Sequence, residues 1–255
     1  MPAVNPNFEL RLARDEADLI AAQRLRYDVF VEELGGDGVL VDHDARLERD
    51  EFDPFYDHLV LFDRARDGAA VGVYRLLRDD RAAKLGRYYS EGEYDLTALK
   101  TSGRKLLELG RSCLHPDYRG GIAMRVLWNG LADYVAEHGI EVLFGVASFH
   151  GTDINALRGS LSLLHHRHLA PEALRARALP EHFQSMDLMP EAEIDRPAAV
   201  KATPALIKAY LRLGGYVGEG AYIDHAFNTI DVCLILDTAV MSERHRSLYA
   251  KGTGA

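Results

Sequence analysis

The sequence contains little cysteine and no long apolar run. Two of its 255 residues are cysteines, Cys113 and Cys233, and both lie in apolar, strand-like stretches. The sequence therefore predicts two buried free thiols in a reducing compartment rather than a disulfide. No stretch approaches the roughly 20 apolar residues of a membrane-spanning helix. The first residues show no basic segment followed by an apolar one, as a signal peptide would. A cytoplasmic protein is expected.

An excess of positive charge is also lacking. The net charge is −9, which disfavours general nucleic-acid binding. The charge is unevenly spread, because residues 42–57 carry seven acids and two bases, whereas residues 100–131 carry six bases and two acids. An acidic pole and a basic pole would suit a cationic acceptor and an anionic donor. Random surface patterning is the alternative explanation of the same counts.

The periodicity of apolar residues predicts a mixed α/β (α+β) chain. Strand patterns occur at residues 8–12, 58–62, 71–77, 106–114, 142–147 and 230–236, and helical patterns follow Asp15, Ala123 and Thr203. This order lacks the strict alternation of a doubly wound fold, so we expect a largely antiparallel sheet flanked by helices. The sequence predicts a single domain over residues 1–255, with a partly helical insertion at about 152–190.

Residues 107–121, LELGRSCLHPDYRGG, carry the most informative local pattern. Glu108 and Arg111 lie within a strand-like run, where charges are costly unless they are paired or used. The run breaks at His115, and a glycine pair then precedes a helix, which exposes backbone N–H groups to an anion such as phosphate. Strand, phosphate loop and helix together resemble the acyl-donor half of the Gcn5-related N-acyltransferase fold. The loop Arg119-Gly120-Gly121-Ile122-Ala123 is one residue shorter than the usual pattern.

Further pieces resemble a more specific group of enzymes. An Arg26-x-x-x-Phe30 helix, an acidic loop with Glu51 and Asp53, a strand with Arg75 and the Glu108-x-x-Arg111 strand are similar to the acyl-homoserine-lactone synthases. The resemblance is closer, over nearly the whole chain, to the ornithine–acyl-carrier-protein N-acyltransferases that make lyso-ornithine lipid. Its most specific stretch is PALIKAYLRLGGYVGEGAYIDHAFN, and the stretches that carry it are Leu25–Phe30, Glu108–Arg119, Leu127–Leu131, Phe144–Gly151 and Pro204–Asn228.

This resemblance implies transfer of a 3-hydroxyacyl chain from acyl carrier protein to the α-amine of ornithine, in bacterial aminolipid synthesis. The acyl donor carries its own phosphopantetheine arm, so no separate cofactor is expected. The expected partners are acyl carrier protein and an amino acid, without nucleic acid, and the protein could contact the inner membrane peripherally. We expect the donor to bind at Ser112, Cys113, Arg119, Gly120, Gly121 and Arg125. The short loop favours carrier protein over coenzyme A, since carrier protein presents one phosphodiester and an acidic surface.

The chemistry requires a proton acceptor for the attacking amine and donors for the oxyanion. Glu108 is the first candidate acceptor, directly or through a water, and His115 and His150 are alternatives. Pairing between Glu108 and Arg111, or binding of the substrate ammonium by Glu108, would be a rival role. A β-bulge between these two residues would free a backbone N–H for the thioester carbonyl.

Binding of the acceptor is expected to involve both charge signs. Arg26, Arg75 and Arg111 are candidates for the acceptor carboxylate, because a planar guanidinium binds it bidentately. Phe30 would line an acyl channel. A cationic side chain would be held by acids of the loop, with Asp42, Asp44, Glu51 and Asp53 as candidates.

Several alternatives stay open on sequence grounds. The acceptor could be glutamine, or the reaction could be lactone synthesis from S-adenosylmethionine, and a binding module for carrier protein or lipid is the non-enzymatic alternative. Cys113 could form an acyl-enzyme, although no histidine lies at a suitable spacing and a buried thiol is preferred. The run of His165, His166 and His168 matches no four-ligand spacing, so no metal site is expected.

Overall fold

The computed structural model describes residues 6–225 and 227–240. The strands of this part of the chain, numbered in chain order, are β1 (Phe8–Leu12), β2 (Asp57–Asp63), β3 (Ala69–Arg78), β4 (Tyr94–Asp95), β5 (Leu106–Leu114), β6 (Val142–His150), β7 (Arg177–Ala178), β8 (Phe183–Gln184), β9 (Tyr216–Val217), β10 (Ala221–Asp224) and β11 (Thr229–Asp237). The α-helices are α1 (Glu16–Arg26), α2 (Asp79–Leu85), α3 (Thr97–Thr101), α4 (Ala123–His138), α5 (Ile154–His168), α6 (Arg196–Ala202) and α7 (Ala205–Arg212). None of these helices combines the length and the apolar character that crossing a bilayer requires.

The described residues form two compact units. The first unit comprises residues 6–81 and 109–139, and the second comprises residues 82–108 together with the described residues from 140 onward. Strand β5 contributes to both, because Leu106–Glu108 belongs to the second unit and Leu109–Leu114 to the first. The single domain over residues 1–255 stays a prediction.

The first unit is built on the antiparallel strands β1, β2 and β3. A short helical turn ending at Asp67, whose φ is 53°, joins β2 to β3. Side chains alternate between the two faces of a strand, so Val60 and Phe62 pack under α1, whereas Leu59 lies beside Gly130 of α4. The two helices therefore cover opposite faces of these strands.

Helix α1 begins where the sequence predicts, directly after Asp15. The carboxylate of Asp15 accepts the N–H of Asp18 at 3.0 Å and caps the helix. Beyond Arg26 the chain continues in wider π-helical turns over Tyr27–Glu33, and it leaves the helix at Gly35, whose φ is 72°. Such π-helical turns are rare and frequently lie at functional sites.

In the second unit, β11 is an inner strand. It pairs antiparallel with β6 on one side and with β10 on the other, while Leu106–Glu108 of β5 runs parallel to Val142–Phe144 of β6. Helix α5 lies in the segment that the sequence predicts to be partly helical, and it packs on α6, where the Ser160 hydroxyl donates to the Ala199 carbonyl at 2.9 Å. These pairings confirm a mixed, mostly antiparallel sheet with helices.

One predicted helix start is wrong. The sequence places Thr203 as the N-cap of the helix that becomes α7, but Thr203 instead ends α6. Its hydroxyl donates to the Ala199 carbonyl four residues earlier, at 2.9 Å. A threonine side chain that bonds back into the preceding helix does not cap the next one, and Pro204 in extended geometry directly precedes α7.

Candidate active site

The first unit contains a buried network of three arginines and three carboxylates. Arg26 ends α1, Arg75 lies in β3 and Arg111 lies in β5, so three separate elements bring the guanidinium groups together. The carboxylates all come from the acidic segment between α1 and β2, namely Glu48, Asp50 and Asp53. Buried charges are tolerated when they are paired and hydrogen-bonded.

Arg26 and Arg75 form the floor of this network, since neither side chain is exposed to solvent. Arg26 donates from Nε to Glu48 and from Nη1 to Asp53 Oδ1 at 2.7 Å. Arg75 Nη1 lies 2.6 and 2.7 Å from the two oxygens of Asp50 and 2.9 Å from Asp53. Both guanidinium groups are therefore held by protein carboxylates. Whether either meets an acceptor carboxylate, as the sequence suggests, stays a prediction.

Asp50 and Arg111 form the accessible edge of the network. Their side chains are 18% and 16% exposed, whereas those of Glu48 and Asp53 are 3% and 4% exposed. Arg111 Nε donates to Glu48 Oε1 at 3.0 Å, and its Nη2 lies 3.4 Å from Asp50 Oδ2. A ligand that reaches the network from solvent meets one negative and one positive group side by side.

The arginines keep the buried carboxylates ionised. Burial alone would raise the pKa of Glu48, but Arg111 and Arg26 outweigh it and hold that pKa at about 2. The pKa of Asp53 is likewise well below its usual range, because Arg26 and Arg75 overcome its burial. These carboxylates therefore stay charged over the whole physiological pH range.

Sequence reasoning missed Glu48, Asp50 and His58. Glu48 and Asp50 lie in the acidic segment of residues 42–57, but no periodicity distinguishes them from the other acids of that segment. His58 is buried in β2, and its Nε2 lies 3.0 Å from the backbone carbonyl of Asp53. Burial lowers the pKa of His58 and outweighs the opposing effect of Asp53, so the imidazole is neutral. Its contact with the Asp53 carbonyl ties the acidic segment to strand β2.

The backbone of Arg111 departs from strand geometry. Its φ is 47°, in the left-handed region that residues other than glycine rarely adopt. Such a residue interrupts the alternation of side chains between the two faces of β5. The β-bulge expected between Glu108 and Arg111 would have the same effect. A left-handed non-glycine residue costs of order 1–3 kcal/mol, and such strain clusters at functional sites. The ion pairs of Arg111 with Glu48 and Asp50 hold it in place.

The other predicted acceptor residues of the first unit differ in their exposure. Phe30 is partly buried and packs against the apolar cluster that contains Leu25 and Val29. Glu51 is exposed beside Asp50 in the sequence. Asp42 pairs with Arg49 at the surface, 2.8 Å apart. The acyl-channel role of Phe30 and the ammonium-binding role of Glu51 stay predictions.

The predicted donor residues lie near the end of β5, in the loop that follows it and in the first turn of α4. Arg119 donates from Nε to the Leu114 carbonyl at 3.1 Å and pairs with Glu33. Gly120 has a φ of 73°, and Gly121 and Arg125 are exposed beside it. Cys113 is buried, and burial raises the pKa of its thiol to about 12. Ser112 is half-buried.

The predicted proton acceptors differ strongly in burial. In the second unit, Glu108 is 1% exposed, and its two oxygens accept the N–H groups of Tyr89 at 2.9 Å and Ser90 at 2.7 Å. His150 is exposed at the end of β6. In the first unit, His115 is half-buried, and its Nδ1 accepts the N–H of Asp117 at 3.3 Å. Glu108 is therefore the only one of these three that is both buried and oriented by backbone amides.

Two groups in the second unit have donor atoms close enough to hold a metal ion. One comprises His165, His166 and Asp187, and the other comprises Glu93, Asp224 and Asp231, with ligand atoms within 4.8 Å of one another in each. The Nε2 of His166 also lies 3.0 Å from the Met189 carbonyl. The expectation that the protein needs no metal stays a prediction.

Comparison with known proteins extends over nearly the whole chain. Residues 25–129 match the acetyltransferase (GNAT) domain family. The L-ornithine N(alpha)-acyltransferase of Rhodobacter capsulatus is 62% identical, over 98% of this chain and 98% of that protein. The protein of the same name from Brucella abortus is 43% identical, over 95% of this chain and 89% of that protein.

Two solved structures share the fold at low sequence identity. An N-acyl amino acid synthase from uncultured soil microbes superposes with a TM-score of 0.53 at 12% identity, covering 95% of this chain and 99% of that one. A CoA-dependent acyl-homoserine lactone synthase gives a TM-score of 0.52 at 15% identity, covering 94% and 84%. The GNAT-like fold resembling that of acyl-homoserine lactone synthases, expected from the sequence, is thereby confirmed.

Proposed function

We propose, because this chain belongs to the L-ornithine Nα-acyltransferase family and is an N-acyltransferase, that it transfers a 3-hydroxyacyl chain to the α-amine of L-ornithine, forming lyso-ornithine lipid. The observation that carries this proposal is the 62% identity with such an enzyme over 98% of both chains. The acyl donor is acyl carrier protein, and the product is an amphiphile that leaves toward a membrane.

Ornithine presents the charges that the edge of the network complements. It carries a carboxylate and two amino groups, whereas glutamine lacks the second amine. Arg111 binds the acceptor carboxylate, and Asp50 and Glu51 bind an ammonium. Arg26 and Arg75 act as positioning residues, because they fix Asp50 and Asp53 from the buried side. A rigid, pre-paired site loses little entropy when the acceptor binds.

The reaction needs a neutral amine and a stabilised oxyanion. The α-nitrogen attacks the thioester carbonyl and the new C–N bond forms. The C–S bond then breaks to release the pantetheine thiolate, which takes up the proton that the amine has given up. Glu108 accepts the amine proton, directly or through a water. An ionised carboxylate accepts roughly four hydrogen bonds, so orientation by the Tyr89 and Ser90 amides is compatible with this role. A backbone N–H at the left-handed turn of Arg111 donates to the oxyanion.

The donor arm enters at the loop before α4. The exposed glycines Gly120 and Gly121, followed by a helix, suit the single phosphodiester of a phosphopantetheine arm. Arg119 and Arg125 attract the acidic surface of acyl carrier protein.

An acceptor panel tests the reaction directly. Purified protein would be incubated with 3-hydroxyacyl carrier protein, or with the same acyl chain on coenzyme A, and with ornithine, lysine, glutamine or S-adenosylmethionine. We expect N-acylornithine as the main product and carrier protein as the better donor. Absence of N-acyl product with every amino acid would overturn the proposal, and a lactone product would favour the synthase alternative.

A variant of the network edge tests the assignment of the acceptor site. Asp50→Asn removes the accessible negative charge and should raise KM for ornithine, with a smaller effect on KM for the donor. Asp28→Asn is the matched control, because it removes a carboxylate of the same unit whose side chain is 45% exposed and pairs with Arg46. Equal KM values for ornithine in the two variants would remove Asp50 from the acceptor site.

A further inference from the structure

Helices α6 and α7 carry positive charge and no acid on a protein whose net charge is −9. The segment from Arg196 to Leu213 contains four basic residues and neither aspartate nor glutamate. These bases are Arg196, Lys201, Lys208 and Arg212, of which Lys208 is half-buried and the other three are exposed. We call the solvent-facing residues of the two helices the α6–α7 surface.

The positive charge of this surface is not neutralised within the described part of the chain. No carboxylate among the described residues forms an ion pair with Arg196, Lys201, Lys208 or Arg212. Elsewhere in the same unit, Arg167 pairs with Glu191, and Arg177 pairs with Glu219 at 2.8 Å. The four bases of the α6–α7 surface are therefore available to an external anion.

Apolar side chains lie among these bases. Val200 is 47% exposed, and Pro197, Ala198 and Ala205 are exposed as well. Leu206 and Leu211 of α7 are partly exposed. An interfacial helix combines basic residues with an apolar face in this way, so that charge meets lipid headgroups while apolar groups enter the boundary beneath them.

The helices are fixed to the second unit by their other faces. Ile207 and Tyr210 of α7 are buried, and Ala199 of α6 is buried against α5, where it accepts the Ser160 hydroxyl. The surface is thus presented by anchored helices whose solvent-facing side needs no refolding to meet a partner.

We propose that the α6–α7 surface binds the anionic headgroups of a lipid bilayer. The four positive charges alone would suit an acidic protein partner. The exposed Val200 and the partly exposed leucines add the apolar component that an interface with lipid requires. Such binding goes beyond the acyl transfer itself. It would place the enzyme where an amphiphilic acyl product can partition.

Vesicle binding without any substrate tests this proposal. The protein would be sedimented with vesicles of phosphatidylcholine, with and without added phosphatidylglycerol. We expect binding only to the anionic vesicles and weaker binding at high salt. The double substitution Lys201→Glu/Arg212→Glu should weaken it by at least about 25-fold, since each basic residue near such a surface contributes roughly five-fold. Val200→Ser should lower the part of the binding that survives high salt.

A matched double substitution separates this surface from the net charge of the protein. Arg14→Glu/Arg24→Glu makes the same charge change at two exposed positions of the first unit, and it should leave most vesicle binding intact. Equal weakening by the two double variants would overturn the proposal. So would unchanged vesicle binding in Lys201→Glu/Arg212→Glu together with a raised KM for acyl carrier protein, which would assign the surface to the carrier. Turnover of ornithine in the absence of vesicles should be unchanged, so the two proposals fail independently.

Discussion

The two carboxylate oxygens of Glu33 bind the two terminal nitrogens of Arg119, at 2.5 and 2.6 Å. Glu33 ends the π-helical turns after α1, and Arg119 opens the loop before α4. This hydrogen bonding raises the pKa of Arg119 and lowers that of Glu33. The pair holds Arg119 in place, but it also neutralises a charge that a donor phosphate would use. If Arg119 binds the acyl donor, as proposed above, Glu33 and the donor compete for one guanidinium.

Glu33→Gln should tighten donor binding. Removal of the competing carboxylate leaves Arg119 available to the phosphodiester and to the acidic surface of the carrier. We expect KM for acyl carrier protein to fall by up to about five-fold, because exposed ion pairs contribute up to about 1 kcal/mol. Turnover at saturation should not change. Steady-state kinetics at two salt concentrations would measure both effects.

The comparison variant for this test is Arg125→Gln. It removes a neighbouring exposed positive charge on α4 and should shift KM in the opposite direction. A Glu33→Gln enzyme with a higher KM would show that the pair positions Arg119 for the donor instead of competing with it.

The stability of the first unit should fall in acid through Glu48. Its pKa is lowered from 4.5 to about 2 in the folded protein, so its contribution to the free energy of unfolding is fully present above pH 4.5 and is lost as the pH falls toward 2. This shift corresponds to about 3 kcal/mol. Urea unfolding of the parent at a series of pH values would show the decline.

Glu48→Gln should remove this part of the pH dependence. At neutral pH the variant should be less stable by about 3–5 kcal/mol, because Arg26 and Arg111 lose a buried partner. The difference between parent and variant should narrow as the pH falls below 4.5. Glu32→Gln, which removes an exposed carboxylate that pairs with Arg46, should follow the parent curve. A constant difference at all pH values would contradict the assigned pKa shift.

The sequence predicts the helices and strands that have strong local signals. It does not predict which side chains pair across the folded structure. The bounds of β5 at residues 106 and 114 follow from its apolar run, and the Asp15 cap follows from local hydrogen bonding. The network partners Glu48 and Asp50 lie in a segment without periodicity, so only the folded loop shows which acids face the arginines. The prediction that Thr203 caps α7 is wrong because a threonine before a helix can instead donate its hydroxyl to a carbonyl of the preceding helix.

Cys113→Ala should retain turnover. Burial raises the pKa of this thiol to about 12, so almost no thiolate exists at neutral pH, and direct attack by the amine needs none. The substitution should lower the melting temperature, because it truncates a buried side chain. Mass spectrometry after mixing with acyl donor alone should detect no acylated protein. An acyl adduct that disappears in Cys113→Ala would instead establish an acyl-enzyme.

Glu108→Gln should separate three roles of the buried carboxylate. The glutamine keeps the shape but turns an NH₂ group toward one of the N–H groups of Tyr89 and Ser90. A loss of about 1–3 kcal/mol in stability is therefore expected whatever the catalytic role. If Glu108 accepts the amine proton, kcat should fall by roughly 10²–10⁴-fold with little change in KM for the acceptor. If it binds the substrate ammonium, KM should rise and kcat should survive at saturation.

Glu91→Gln provides the matched control for Glu108→Gln. Glu91 accepts the N–H of Tyr88 at 2.7 Å in the same short helical turn, so its substitution should also lower the melting temperature while leaving kcat unchanged. Both variants would be assayed well below their melting temperatures. If Glu108→Gln behaves like Glu91→Gln, with reduced stability and parental kinetics, Glu108 is a structural cap of that turn. The proton acceptor is then His115 or His150. Substituting that histidine by Gln should lower kcat by the amount that Glu108→Gln did not.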